Sequence, residues 1–180
     1  MLPPRRWLPL LTACLIATVS LQSAGAEPDD VARGHPSVAI VPALLAEGTV
    51  LNASGSDVIT AYVAGYEKWM ELISREPDNH QLNVLHPTLI FGALAAAAGC
   101  SNLRRPDEGR TINALGIAAA QASGLTAVYG SMVKSAQVGR AAYGCTCGAL
   151  GGAWHADPRG RARWRKRIPP RVFTPSQGGC

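Results

Sequence analysis

"SGSDVITAYVAGYEKWMELISRE", residues 54–76, decides how the rest of the chain is read. Its apolar residues Val58, Ile59, Tyr62, Val63, Tyr66, Trp69, Met70 and Ile73 recur at spacings of three and four. That is the period of one face of a helix, not the alternation of a strand. Ser54 and Asp57 stand where the first backbone N–H groups of a helix need side-chain oxygens, and Pro77-Asp78-Asn79 ends the run. The stretch predicts an amphipathic helix with one face turned to a core.

Its neighbours read the same way. "SVAIVPALLAE" (37–47) follows His35-Pro36 and is expected to stop at Gly48 as a short apolar helix. "TLIFGALAAAAGC" (88–100) follows His86-Pro87, and its alanines let other helices approach closely. "RPDEGRTINALGIAAAQASG" (105–124) opens with Pro, Asp and Glu, as a first turn should, and ends at Gly124. A last helix is expected over roughly 135–150. No alternating strand pattern and no internal repeat stands out, so the body is expected to be all-α.

Composition agrees. Hydrophobic residues make up 47% of the 180 positions and aromatic residues 6%, which points to a core of Ala, Leu, Val and Ile. A chain of this length buries one respectable core. Nineteen glycines lower intrinsic helix stability, so close tertiary packing has to supply it.

The net charge of +5 belongs to the ends. Residues 27–152 carry eight Lys/Arg against eleven Asp/Glu, whereas residues 153–180 carry seven Lys/Arg and a single Asp. The tail "HADPRGRARWRKRIPPRVFTPSQGGC" alternates Arg with small residues, holds four prolines and has no amphipathic period. It is expected to be disordered and solvated, with Trp164 and the arginines offering at most weak nucleic-acid or anionic-membrane contact. At the other end, residues 1–26 pair Arg5 and Arg6 with an apolar run from Trp7 to Leu21 and Ala24-Gly-Ala26. This has the form of a secretory signal and is short for a membrane span; a buried apolar leader helix is the competing reading. The five cysteines, Cys14, Cys100, Cys145, Cys147 and Cys180, lack the paired spacing of a zinc loop and are expected to be small hydrophobes or free thiols. No metal site is expected.

Chemistry is sought in the histidines and in one lysine. His35 and His86 share a placement, each followed by Pro and an apolar helix, where outward-pointing N–H groups collect anions. Lys134 is one of three lysines against fourteen arginines and sits among small residues in "YGSMVKSAQVGRAAYG" (129–144), a costly place for an ammonium that meets nothing negative. A His poised near neutral pH can take a proton from carbon beside a carboxylate, and a lysine can hold that carboxylate. A second His can give a proton to a leaving hydroxyl, with Asp29 and Asp30 orienting an imidazole. The set needs no metal or organic cofactor. The phosphate-loop, His-Glu-x-x-His and Gly-x-Ser-x-Gly patterns are absent.

Five segments, "GHPSVAIVPALLAEG", "SGSDVITAYVAGYE", "LHPTLIFGALAAAAGC", "ALGIAAAQASGL" and "GSMVKSAQVGRAA", come in the order and spacing of the MmgE/PrpD family. The chain resembles that family over roughly 27–152. The resemblance implies proton abstraction without metal on a small di- or tricarboxylate, as in 2-methylcitrate dehydratase, cis-aconitate decarboxylase or iminodisuccinate epimerase. It implies that His86, Lys134 and His35 are catalytic, matching the His before a Thr-rich helix start, the Lys of Met-x-Lys and the His of His-Pro-Ser. Asp29 and Asp30 match substrate-binding residues of the Asp-Phe-Asp-Asp-Thr motif. Glu27, Val31 and Gln137 depart from the pattern; many members have His in place of Gln137.

Family chains are longer and carry a second, α/β domain. The expectation is therefore a partial helical domain over 27–152, flanked by the leader 1–26 and the basic tail 153–180. The functional expectation is hydro-lyase-type chemistry, probing a site that the fragment leaves incomplete. The alternative is a non-catalytic helical remnant acting through protein association, including homodimerisation. Family resemblance implies a cytoplasmic location; the signal-like residues 1–26 imply export.

Overall fold

A computed structural model describes residues 32–76 and 84–143. Among them the chain forms five α-helices: α1 (Pro36–Leu51), α2 (Gly55–Ser74), α3 (Pro87–Arg104), α4 (Glu108–Gln121) and α5 (Met132–Ala142). A 3₁₀ turn, Thr126–Val128, precedes α5. No strand occurs among the described residues, and an isolated antiparallel bridge joins Leu85 to Leu125. The all-α reading holds. The leader, the Pro77–Asn79 stop, Asp29, Asp30 and the basic tail lie outside the described residues, as do all the cysteines except Cys100, which is buried.

α2 forms for the reasons that its sequence gives. Ser54 Oγ accepts from the Asp57 backbone N–H and the Asp57 carboxylate accepts from the Ser54 N–H, a reciprocal box that satisfies two donors. Its inward face carries Ala61, Gly65, Trp69 and Ile73 at helical spacing. Trp69 is fully buried, packs edge-on to Phe91 at 5.7 Å and donates its indole N–H to the Ala32 carbonyl at 2.9 Å. The large apolar side chain thereby enters the core without stranding its polar atom.

α3 is the hub, packed by α1, α2, α4 and α5. It is apolar around its circumference, as a helix enclosed on all sides must be. α2 crosses it closely because both helices present glycine at the crossing. A Cβ on Gly65 would lie 2.9 Å from the Ala95 carbonyl oxygen, and one on Gly99 would lie 2.9 Å from that of Ala61. The pairs 61/99 and 65/95 run in opposite senses, so α2 is antiparallel to α3.

α1 and α5 run parallel to α3. Gly34 lies against Thr88, Ala39 against Gly92 and Leu44 against Gly99, advancing together along α1 and α3. Gln137 meets His86, and Ala141, one turn further, meets Gly92. At the opposite end α1 and α3 are tied by an ion pair between Glu47, 2% exposed, and Arg104.

Several helix ends differ from the expectation. α1 runs through Gly48 to Leu51, since Gly48 is buried against Val58 and its carbonyl accepts from the Asn52 N–H; Asn52, left-handed at φ 57°, is the stop. α3 runs beyond Cys100, where its apolar stretch ended, to Arg104, with Arg105 left-handed. α4 starts at Glu108, capped by Asp107, and ends at Gln121 before Gly124. α5 begins at Met132, three residues before Ser135, because Ser131 caps it.

Candidate active site

Three helices that run parallel start at one end of the bundle. His35 is the N-cap of α1, His86 the N-cap of α3, and Lys134 lies in the first turn of α5. Proline follows each histidine, where the missing N–H costs nothing. Neither histidine spends its side chain on capping its own helix. Helix N-termini carry unpaired N–H groups and partial positive charge, so three at one end favour an anion there.

The loop between α4 and α5 builds one wall. Thr126 N–H donates to the Val84 carbonyl at 3.0 Å and His86 N–H to that of Gly124 at 3.1 Å, on either side of the Leu85–Leu125 bridge. Gly124 packs closely here, since a Cβ there would fall 2.6 Å from Leu89 Cδ2 and displace that side chain. The loop then delivers Tyr129 to His86, edge-on, with ring centroids 5.0 Å apart and planes at 80°. The Lys134 ammonium lies over the same Tyr129 ring, 5.2 Å from its centroid.

His86 is 1% exposed, and its Nδ1 lies 3.1 Å from Gln137 Oε1. Burial pushes its proton affinity below the ordinary imidazole value; the Lys134 ammonium pushes the same way, and the Gln137 hydrogen bond opposes them. The imidazole is therefore neutral near pH 7 and able to accept a proton. Burial also pushes the Tyr129 phenol above its ordinary value, keeping it protonated. The result is a neutral base and a cation held against one aromatic ring, at an end of the fold that attracts anions.

The structure brings His86 and Lys134 together through Tyr129, and places His35, half-buried, at the same end. Asp29 and Asp30 lie outside the described residues. Tyr129 had no signal in the sequence, because a loop residue obeys no period. Gln137 showed only as a departure from a family pattern. Among the described residues, no three His, Cys, Asp or Glu side chains gather as a metal centre requires, and no helix is long and apolar enough to cross a membrane.

Comparison with known proteins adds two findings. The family model of the MmgE/PrpD N-terminal domain matches residues 8–152, which extends the resemblance ahead of residue 27. The cis-aconitate decarboxylases of Aspergillus terreus and of its strain NIH 2624 / FGSC A1156 are each 36% identical over 125 residues. That is 66% of this chain and 25% of each relative, so the chain spans a quarter of the length of the curated relatives it matches.

Proposed function

The chain belongs to the MmgE/PrpD family, and from that premise we propose that its His86 end binds a small di- or tricarboxylate and moves a proton at the carbon beside a carboxylate. The observation that carries this reading is the contact of a buried neutral imidazole and a lysine ammonium with the same Tyr129 ring. Lys134 anchors a substrate carboxylate and stabilises the enolate-like charge that develops. His86 takes the adjacent proton. In a dehydration, the electrons of that C–H bond form the double bond, and the hydroxyl leaves as water with a proton from His35. In a decarboxylation, the C–C bond to the departing carbon dioxide supplies the electrons, and carbon takes one proton from solvent, relayed by His35. Asp29 and Asp30 orient an imidazole in either case.

The full chain, incubated with cis-aconitate and separately with 2-methylcitrate, is expected to deplete at least one of them. His86→Gln and Lys134→Ala should each lower turnover by about 10²–10⁴-fold. Absence of turnover with both acids, or variants as active as the parent, overturns the enzymatic reading.

A second reading has one observation in its favour. Leu45 on α1 and Ile59 and Val63 on α2 are 54%, 66% and 48% exposed, and large apolar side chains left in water suit self-association. Sedimentation of the full chain is expected to show a dimer that Ile59→Lys with Val63→Lys converts to monomer; a monomer at every concentration removes this reading.

A further inference from the structure

We infer that Gln137 is a positioning residue that holds His86 in the tautomer protonated at Nδ1, leaving Nε2 as the atom that accepts the substrate proton. The contact is between Nδ1 and the amide oxygen Oε1, at 3.1 Å. A carbonyl oxygen has no proton to give, so the ring nitrogen has to supply it. Nε2 then keeps its lone pair.

The surroundings hold this contact in place. Gly124 closes over the amide so tightly that a Cβ there would lie 3.1 Å from Gln137 Oε1. The register of α5 is pinned one turn later, where Ala141 meets Gly92 and Val138 is fully buried. On the other side, the perpendicular Tyr129 ring fixes the plane of the imidazole. Two different contacts therefore define both which way the ring faces and which nitrogen is bare.

The chemical identity of the partner matters as much as its position. A carboxylate on Nδ1–H would raise the proton affinity of the ring, whereas an amide cannot ionise and leaves it low. Among the described residues, the Lys134 ammonium and Tyr129 phenol approach His86 from α5 and its preceding loop, while His35, Arg33 and Glu76 lie at the same end, Arg33 bonded to the Glu76 carbonyl. With Lys134 already disfavouring imidazolium, Gln137 supplies orientation without the negative charge that would undo it. The tautomer stands on geometry alone; its catalytic meaning rests on the proton-abstraction reading above.

The test labels the histidines of the full chain with ¹⁵N and assigns the His86 tautomer from long-range ¹H–¹⁵N correlations above its titration. The parent is expected to show a protonated Nδ1 and a bare Nε2. Gln137→Leu should mix the tautomers and move the His86 titration to lower pH. Gln137→Glu should keep Nδ1–H and move the titration upward. A parent protonated at Nε2, or a folded Gln137→Leu with tautomer and titration unchanged, overturns the inference. If Gln137→Leu does not fold, Gln137→Glu decides alone, and an unmoved titration is the contrary result. None of these readouts needs turnover, so failure of the enzymatic reading and failure of this one are separable.

Discussion

His86 and Lys134 are close neighbours of one ring but answer to different physical constraints. The imidazole is enclosed, so its charge state is coupled to folding. Its native proton affinity lies below the unfolded value of 6.5. Above 6.5 neither state holds the proton, and the site adds no pH dependence. As pH falls below 6.5 the unfolded chain takes up a proton that the native state refuses, so stability declines. Melting of the parent should therefore worsen on acidification by more than melting of His86→Gln, and equal acid sensitivity would contradict the burial argument. Lys134 is half-exposed, and a cation over an aromatic ring at such a site contributes about 1 kcal/mol or less. Lys134→Ala should accordingly melt close to the parent while losing carboxylate binding, as calorimetry with citrate would show.

At the scale of the helix, the α2–α3 crossing depends on Gly65 and Gly99, each facing the other helix's backbone. Gly65→Ala and Gly99→Ala push a methyl group against a carbonyl that cannot rotate away, and should each destabilise by about 1–3 kcal/mol. Gly55→Ala is the control: nothing lies within 4 Å of its Cβ position, and removing unfolded-state freedom there should stabilise by about 0.4–1 kcal/mol. Thermal melts of the three variants check both signs. The elements themselves were legible in the sequence, because α2 has the helical period and a capping box in so many residues. Their ends were less so. Gly48 reads as a stop, yet it is buried against a neighbouring helix, and tertiary contact overrides the local preference of glycine to end a helix. Ser131, a sound cap in hindsight, stands in a run of small residues where several positions could start a helix.

At the scale of the molecule, the parallel run of α1, α3 and α5 brings the candidate residues to one end, and no local pattern announces it. His35 and His86 shared a sequence context and Lys134 was conspicuous by its isolation, so the members were legible. Tyr129, the ring that joins two of them, and the hydrogen bond of Gln137 became visible only once the loop after α4 was folded back on Val84 and His86. The opposite end of the same helices is held by Glu47 and Arg104. Burial, outweighing the guanidinium, keeps the Glu47 carboxyl above its ordinary value, so this pair opposes rising pH where His86 opposes falling pH. Arg104→Leu leaves a buried carboxyl without its partner and should cost about 3 kcal/mol at neutral pH. The loss should shrink as the pH is lowered and Glu47 takes up a proton, which denaturant titrations at several pH values would reveal.

The central claim is that one carboxylate-binding site contains both His86 and Lys134. Titrating citrate into the ¹⁵N-histidine-labelled full chain tests it most directly. The account predicts a saturable shift of the His86 ring resonances, abolished by Lys134→Ala while the fold persists. A His86 signal indifferent to citrate, or a shift that survives Lys134→Ala unchanged, would contradict it.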